Sequence, residues 1–207
     1  MIVVHHLENS RSQRVLWLLE ELSLPYRVER YARDPATGLA PRTLKSVHPL
    51  GKSPVIVDED AGLTLAETGA IVEYLVDKAG ALGPGDDPQT ARRYRFWLHY
   101  AEGSLMPPLL VRLVLSRIPV MGRIALRRVQ PLIDVHLDHV EAELSQRPWF
   151  AGETLTAADV MMSFPLEAAA ARNGLDGRRA TGAWLSRIHA RPAYDAALRA
   201  GGPYDYA

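Results

Sequence analysis

The sequence contains no cysteine. This absence excludes structural disulfides, thiolate metal sites and any cysteine nucleophile supplied by the protein. It also fits a reducing compartment, although it does not by itself identify one. If thiol chemistry takes place in this protein, the thiol must therefore belong to a bound ligand.

The chain also lacks an excess of either charge and a long apolar run. Lysine and arginine together number 24, as do aspartate and glutamate, so the formal net charge is zero. This balance gives no reason to expect nucleic acid or an anionic membrane surface as a partner. No apolar stretch approaches the length of a bilayer-spanning helix, and the N-terminal residues lack the pattern of a secretory signal. We therefore expect a cytoplasmic protein.

Residues 1–80 alternate short β-prone runs with helical apolar spacing. The first half of this region has room for a helical crossover, whereas its last two strands are so close that they can only form a hairpin. The pattern predicts a small mixed sheet with helices on its faces, as in thioredoxin-like folds. The predicted order is β-α-β-α-β-β-α, with strands near residues 2–5, 26–31, 55–57 and 63–65 and helices near residues 12–22, 43–46 and 67–78.

The segment 80–88 is rich in Gly, Pro and Asp without apolar periodicity, which is typical of a linker. We predict an α/β domain over residues 1–80, joined to an all-helical bundle domain over residues 88–207. The first long helix should bend at Met106-Pro107-Pro108, because proline removes backbone hydrogen bonds. The predicted helices are residues 89–116, 122–145, 156–171, 182–189 and 193–200.

The most informative stretch is VHPLGKSPV, residues 47–55. Pro54 opens an apolar run that is typical of a strand, and proline belongs at a strand's first residue or edge because it cannot donate to the ladder. Its bond to Ser53 is a realistic place for a cis peptide, and backbone groups before the strand are left for an extended ligand. Glu67-Thr68 begins the next helix, where free N–H groups favour an anion. With the cation of Lys52, these features predict a site for a small peptide that carries carboxylates.

This arrangement resembles the glutathione-binding half of the cytosolic glutathione transferases, and the resemblance extends over nearly the whole chain. In that family a cis-proline loop pairs with the backbone of the cysteinyl residue of glutathione. The resemblance implies that Ser53-Pro54 forms this loop and that Val55 contributes its backbone N–H and C=O. It also implies that Glu67 and Thr68 hold the γ-glutamyl carboxylate.

Two further side chains near this loop are candidates for the other end of glutathione. The resemblance implies that Lys52 contacts the glycyl carboxylate, although an exposed lysine is usually only a solvated charge. His48 either serves the same purpose or caps its own loop.

The loop before the first helix, Asn9-Ser10-Arg11-Ser12, carries the candidate catalytic group. Ser or Asn in this place is most often a helix N-cap. The functional alternative is a hydroxyl that donates to a ligand thiolate, which the helix N-terminus also favours. In the Ser-type members of the family the activating hydroxyl lies in this loop, so the resemblance favours Ser10. Asn9 and Ser12 remain alternatives, and Arg11 either binds a ligand carboxylate or lies at a domain interface or surface.

Two segments of the helical part resemble a fungal and bacterial branch of the family: YAEGSLMPPL at 100–109 and MMSFPL at 161–166. Aromatic and methionine side chains suit an apolar pocket for a second substrate, although helix core is the more common role of each. The candidates for this pocket are Tyr94, Trp97, Tyr100 and Met106. Separately, Thr156 and Asp159 form a predicted capping box, which is a folding signal.

No metal site is expected. His5 and His6 alternate to opposite faces of a strand, so they do not share an ion. His136 and His139 are three apart on a helix but have no accompanying ligand motif. Arg123, Arg127 and Arg128 are interpreted as a solvated or interface surface.

The resemblance implies a glutathione transferase that forms a homodimer and uses glutathione as cosubstrate against a hydrophobic electrophile. Reduction of organic hydroperoxides is a possible further reaction. The alternatives are a glutathione-dependent disulfide reductase and a non-catalytic glutathione-binding or interaction protein, since fold does not fix function. The tail at 204–207 either folds back over the site or is disordered.

Overall fold

The computed structural model describes residues 1–207, apart from the side chain of Asn173. It contains two compact units, one formed by residues 1–83 together with 188–207 and the other by residues 84–187. The domain ranges predicted from the sequence were 1–80 and 88–207, so the main difference is that the last twenty residues group with the first unit.

The first unit is built on a four-stranded mixed sheet, as predicted. Its strands lie in the order β2-β1-β3-β4, with β1 and β2 parallel and the other two pairings antiparallel. The crossover between β1 and β2 contains a helix, and the short β3–β4 connection forms the hairpin. The strands are β1 (Ile2–Leu7), β2 (Tyr26–Tyr31), β3 (Val55–Asp58) and β4 (Leu63–Ala66).

The chain forms eight α-helices. They are α1 (Ser12–Glu21), α2 (Thr68–Ala79), α3 (Pro88–Tyr100), α4 (Met106–Ser116), α5 (Met121–Leu144), α6 (Ala157–Asn173), α7 (Arg179–His189) and α8 (Pro192–Gly201). A 3₁₀ turn, Arg42–Ser46, replaces the short helix predicted after β2.

Helix α8 packs against α1 within the first unit. Arg191 forms a two-pronged ion pair with the Glu21 carboxylate, its Nη2 atom lying 2.8 Å from Glu21 Oε2. At the other end of α8, Arg30 donates from Nε to the carbonyl of Ala200 at 3.0 Å. The Arg30 guanidinium thereby pairs with a carbonyl that the C-terminus of α8 leaves without a partner in the helix. These contacts place the C-terminal tail next to the sheet.

In the second unit, α3 passes into α4 through a π-helical segment, Ala101–Leu105. The sequence predicted one helix bent at Pro107 and Pro108. These prolines have no N–H to donate to the preceding turn, and the widened segment lies immediately before them. The irregularity therefore takes the form of a π segment between two helices.

The predicted capping box at α6 is confirmed. Thr156 is the N-cap, and the Asp159 carboxylate accepts from the backbone N–H and the hydroxyl of Thr156 at 3.0 and 3.1 Å. Its other oxygen accepts from the Phe150 N–H at 3.0 Å and from Trp184 Nε1 at 3.3 Å. Burial raises the pKa of Asp159 to about 6, against the opposing effect of these donors. The box therefore also joins α6 to the preceding loop and to α7.

None of the helices among the described residues has the length and apolar character of a membrane span.

Candidate functional site

A buried chain of polar side chains lies where β1 leads into α1. Ser10 Oγ is 2.8 Å from Ser12 Oγ, which in turn is 2.9 Å from Nδ1 of His6. Ser10 Oγ also accepts from the Ser12 backbone N–H at 3.3 Å. Ser10 is 7% exposed and Ser12 is 0% exposed, so Ser10 is the end of this chain that reaches the surface.

The structure argues against Ser12 as a direct ligand of the thiol. Its hydroxyl is fully buried and is surrounded by protein groups. Besides Ser10 and His6, it accepts from the Leu7 N–H at 3.2 Å and lies 3.3 Å from the Leu7 carbonyl oxygen. This burial favours Ser10 over Ser12 as the residue that reaches a ligand.

Asn9 is held by the C-terminal tail. Its Nδ2 donates to Asp205 Oδ2 at 2.7 Å, and its Oδ1 accepts from the Asp205 backbone N–H at 2.8 Å. Asn9 has φ of 50°, in the left-handed region that asparagine tolerates better than most residues. Both ends of the amide are thus already paired, which favours Ser10 over Asn9 as the thiol's partner. Of the two fates predicted for the tail, the structure shows folding back, onto this loop.

His6 is an uncharged member of the site. Its pKa is lowered to about 4, mainly by burial and further by the nearby Arg30, while Glu8 acts in the opposite direction. The imidazole is therefore neutral at physiological pH. The sequence analysis considered His6 only as a metal ligand. Its place beside His5 in a strand of otherwise apolar residues is the sequence feature that could have indicated a buried polar role.

The Ser53–Pro54 peptide bond is cis, as predicted. Ser53 Oγ donates to the His5 carbonyl at 2.8 Å and accepts from the Leu7 N–H at 3.2 Å. Since Ser12 Oγ accepts from the same N–H, one backbone group of β1 connects the cis-proline loop to the loop that carries Ser10. The two predicted parts of the site therefore adjoin each other at the end of β1.

Val55 does not have the free backbone that was expected of it. It is the first residue of β3 and lies opposite His5 of β1 on one side and Ala66 of β4 on the other. Strands therefore flank both edges of its backbone. The backbone that precedes the strand belongs to Ser53, and it makes no backbone–backbone hydrogen bond among the described residues.

Glu67 and Thr68 lie at the start of α2. Glu67 is the N-cap residue, is exposed, and has φ of 70°, which is unusual for glutamate. Such conformations persist where surrounding structure holds them, and they concentrate at functional sites. Thr68 is buried. No side chain caps this helix among the described residues, so its first N–H groups are available to an anion.

The remaining residues predicted to contact glutathione lie on the loops themselves. Lys52 is exposed, whereas His48 is partly buried and its Nδ1 accepts from the Leu50 N–H at 3.4 Å. Arg11 occupies the N-cap position of α1.

The residues predicted for a second-substrate pocket all belong to the second unit. Tyr94, Trp97 and Met106 are 4%, 2% and 4% exposed, and the Trp97 ring stacks on His139 and contacts Phe150. This burial favours the helix-core role for those three.

Tyr100 differs from the other three because it is only partly buried and its hydroxyl lies 2.5 Å from Nδ1 of His136. Burial raises the pKa of Tyr100 to about 12. Of the four candidates, Tyr100 is the one that combines accessibility with a polar group.

Curated relatives of this chain include transferases from two yeasts. The chain is 39% identical over 184 residues to glutathione S-transferase 3 of Schizosaccharomyces pombe, covering 82% of this chain and 74% of that protein. It is 34% identical over 220 residues to glutathione S-transferase 1 of Saccharomyces cerevisiae, covering 95% and 93%. It is also 30% identical over 207 residues to the disulfide-bond oxidoreductase YfcG of Escherichia coli, covering 96% and 94%.

The fold and both halves of the sequence match one family. A crystal structure of a glutathione S-transferase from Actinobacillus pleuropneumoniae superposes with a TM-score of 0.88 at 33% identity, covering 100% of this chain and 95% of that one. The glutathione S-transferase N-terminal domain matches residues 10–78, and the C-terminal domain of the same family matches residues 110–192. The chain therefore belongs to the glutathione S-transferase family.

Proposed function

We propose that this protein is a glutathione transferase in which the Ser10 hydroxyl donates a hydrogen bond to the thiolate of bound glutathione. The observation that carries this proposal is the polar chain ending at Ser10, together with the Leu7 N–H that connects it to the cis-proline loop. A hydroxyl fixed in this way lowers the thiol pKa, because a charge-assisted hydrogen bond stabilises only the ionised form. The thiolate is the reactive nucleophile.

The same arrangement suggests how glutathione is held. The Ser53 backbone, ahead of cis-Pro54, pairs with the cysteinyl residue in place of the Val55 backbone. The γ-glutamyl carboxylate binds at the start of α2, where Glu67 and Thr68 lie. Lys52 receives the glycyl carboxylate.

Asn9, Arg11 and His48 are secondary contacts in this proposal. Asn9 acts through its backbone, since its amide is already paired with the tail.

The thiolate then attacks a hydrophobic electrophile. A contact of Tyr100 with the electrophile stays a prediction from the sequence. The protein contributes orientation and thiolate stabilisation, which are the usual means by which an enzyme accelerates such a reaction.

The first test combines binding and turnover. Calorimetry should detect glutathione binding to the wild type, and conjugation of an activated aryl halide should be saturable. Ser10→Ala should retain most of the binding and lose most of the turnover. Ser186→Ala removes an exposed hydroxyl on α7 and is the matched control that should change neither. Saturable binding without turnover on aryl halides, peroxides or disulfides would instead indicate a binding protein.

A second function is supported by the relative from Escherichia coli, which is named a disulfide-bond oxidoreductase. Bound glutathione can reduce a disulfide without a protein cysteine, and this chain has none. Turnover of a small hydroxyalkyl disulfide, measured beside the aryl halide at equal enzyme concentration, distinguishes the two. A specificity constant at least tenfold higher for the disulfide would make reduction the principal activity.

The proposal includes a two-fold homodimer in the cytoplasm. Helices α4 and α5 and the turn between them expose several large apolar side chains; Val120 in that turn and Met121 and Val135 on α5 are each 67% exposed. A concentration of exposed apolar side chains can mark an interaction site. Light scattering should give twice the chain mass, and Val135→Glu should shift it toward one chain. Cell fractionation tests the location.

A further inference from the structure

We propose that His6 is a positioning residue that, through Ser12, turns the hydroxyl proton of Ser10 outward toward the sulfur of glutathione. The inference rests on the proposed role of Ser10 and adds to it the group that sets the direction of its proton. That direction decides whether Ser10 stabilises or opposes a thiolate.

Four polar atoms lie within 3.3 Å of Ser12 Oγ. Ser10 Oγ lies at 2.8 Å, His6 Nδ1 at 2.9 Å, the Leu7 nitrogen at 3.2 Å and the Leu7 oxygen at 3.3 Å. A hydroxyl offers one proton and two lone pairs. The Leu7 N–H takes one lone pair. The proton has three acceptors within reach, His6 Nδ1, Ser10 Oγ and the Leu7 carbonyl oxygen, of which the first two lie nearest.

One arrangement of the protons follows when Nδ1 of His6 carries the ring proton. His6 then donates to Ser12, and Ser12 donates to Ser10, which at 2.8 Å is nearer than the Leu7 carbonyl oxygen at 3.3 Å. Because Ser10 Oγ also accepts from the Ser12 backbone N–H at 3.3 Å, both of its lone pairs are occupied. The Ser10 proton has no acceptor left among the described residues, so it points outward and can donate to a thiolate.

The opposite arrangement follows when Nδ1 carries no proton. Ser12 then donates to His6, and Ser10 donates to Ser12. Ser10 now presents a lone pair to the ligand, and a lone pair repels a thiolate. The tautomer of the buried His6 ring therefore decides, through the His6–Ser12–Ser10 relay, whether the Ser10 hydroxyl presents its proton or a lone pair to the ligand.

Binding of the ligand favours the Nδ1–H form. In that form His6 donates the hydrogen bond found between its Nδ1 and Ser12, and the Ser10 proton is left for the ligand. A bound thiolate requires a donor from Ser10 and therefore stabilises this form.

The ring is held in place for this role. His6 is 2% exposed, and a Cβ added at Gly201 of α8 would lie 3.3 Å from its Cε1 atom. Its low pKa, caused mainly by burial with Arg30 and opposed by Glu8, keeps the ring neutral, so that it carries one proton and the choice of nitrogen is binary.

The test compares two substitutions at this position. His6→Phe keeps a flat ring and removes the relay, whereas His6→Asn places an amide near the position of Nδ1 and can donate to Ser12. The pKa of the glutathione thiol is followed by ultraviolet thiolate absorbance in each folded variant. We expect His6→Phe to raise it by about one unit, a roughly tenfold loss of thiolate below the pKa, and His6→Asn to restore most of the loss. Glutathione affinity measured at low pH, where the thiol is protonated, should stay within about twofold of wild type.

His5→Phe is the matched control. His5 is the neighbouring histidine on β1, and its Nδ1 lies 2.9 Å from the Tyr31 hydroxyl instead of the relay. It should leave the thiol pKa unchanged. An unchanged thiol pKa in folded His6→Phe, or an equal shift in His5→Phe, overturns the proposal.

Ser10→Ala separates this inference from the proposed function. If Ser10→Ala raises the thiol pKa and His6→Phe does not, the relay is wrong and the role of Ser10 stands. If neither substitution changes it, both are wrong. Should His6→Phe fail to fold, ring ¹⁵N shifts of the wild type with bound glutathione decide the matter. A protonated Nδ1 supports the proposal, and a protonated Nε2 overturns it.

Discussion

Replacing Asp58 by Asn should destabilise the first unit in a strongly pH-dependent way. Asp58 ends β3, the strand that begins after cis-Pro54, and its carboxylate is completely buried. It lies 2.7 Å from Nζ of Lys78 and accepts from the Tyr74 hydroxyl at 2.6 Å, both on α2. The residue therefore connects the strand behind the cis-proline loop to the helix whose first turn carries Thr68.

The magnitude follows from the pKa of this carboxyl. The hydrogen bonds from Lys78 and Tyr74 lower the pKa of Asp58 to about 2, from 3.8 in an unperturbed aspartate. Because the folded-state pKa is depressed, the stabilisation is present above the unfolded pKa and is lost as the pH falls through the folded one. At one unit per 1.36 kcal/mol the contribution is on the order of 2 kcal/mol near neutral pH. About 1 kcal/mol of this should be lost by pH 3, with little loss above pH 5.

Urea denaturation of the wild type and Asp58→Asn at a series of pH values between 7 and 3 provides the assay. The free energy of unfolding should differ by on the order of 2 kcal/mol at pH 7, and the difference should shrink by about half at pH 3. Asp60→Asn is the control, since Asp60 is a neighbouring but exposed aspartate. A difference that stays constant over this range, or an equal effect of Asp60→Asn, would refute the reasoning.

Two other predictions concern the capping box and the tail. Asp159→Asn replaces an ionisable acceptor of four donors by an amide that can accept through one oxygen only, so the free energy of unfolding should fall by about 2 kcal/mol in urea denaturation. Loss of less than about 0.5 kcal/mol would mean that the capping box contributes little to stability. Asp205→Ala removes the acceptor of the Asn9 Nδ2–H, while the backbone N–H of residue 205 still donates to Asn9 Oδ1. Amide hydrogen exchange of the loop that carries Ser10 should therefore accelerate while global stability changes by less than about 1 kcal/mol. Unchanged exchange there would show that the tail does not restrain the loop.

Local sequence signals predicted most of the fold. Apolar periodicity identified the strands and most of the helices within a few residues, although α3 and α4 were predicted as one helix, and the proline before β3 led correctly to the cis peptide bond. The capping box at Thr156 was also legible, because its residues are close in sequence. The π segment was not, since the sequence indicates only that Pro107 and Pro108 disturb a helix and not which backbone pattern replaces it.

The site was predicted less completely, because its details depend on pairings between distant segments. Val55 was given a ligand role, but neighbouring strands flank its backbone on both sides, which favours the Ser53 backbone for that role. Ser12 was an alternative to Ser10 until the direction of its side chain was known. The contact of Asp205 with Asn9 spans nearly the whole chain, and no local pattern announces it. His6 was missed because its partner, Ser12, lies on the next element.

The proposed stabilisation of the glutathione thiolate by Ser10 is tested most directly by an ultraviolet titration of the thiol of glutathione bound to the wild type and to Ser10→Ala, at glutathione concentrations that saturate both. We expect a thiol pKa well below that of free glutathione in the wild type and a rise of at least about one unit in Ser10→Ala, with binding retained. An unshifted pKa in the wild type, or the same lowered pKa in both proteins, would contradict it.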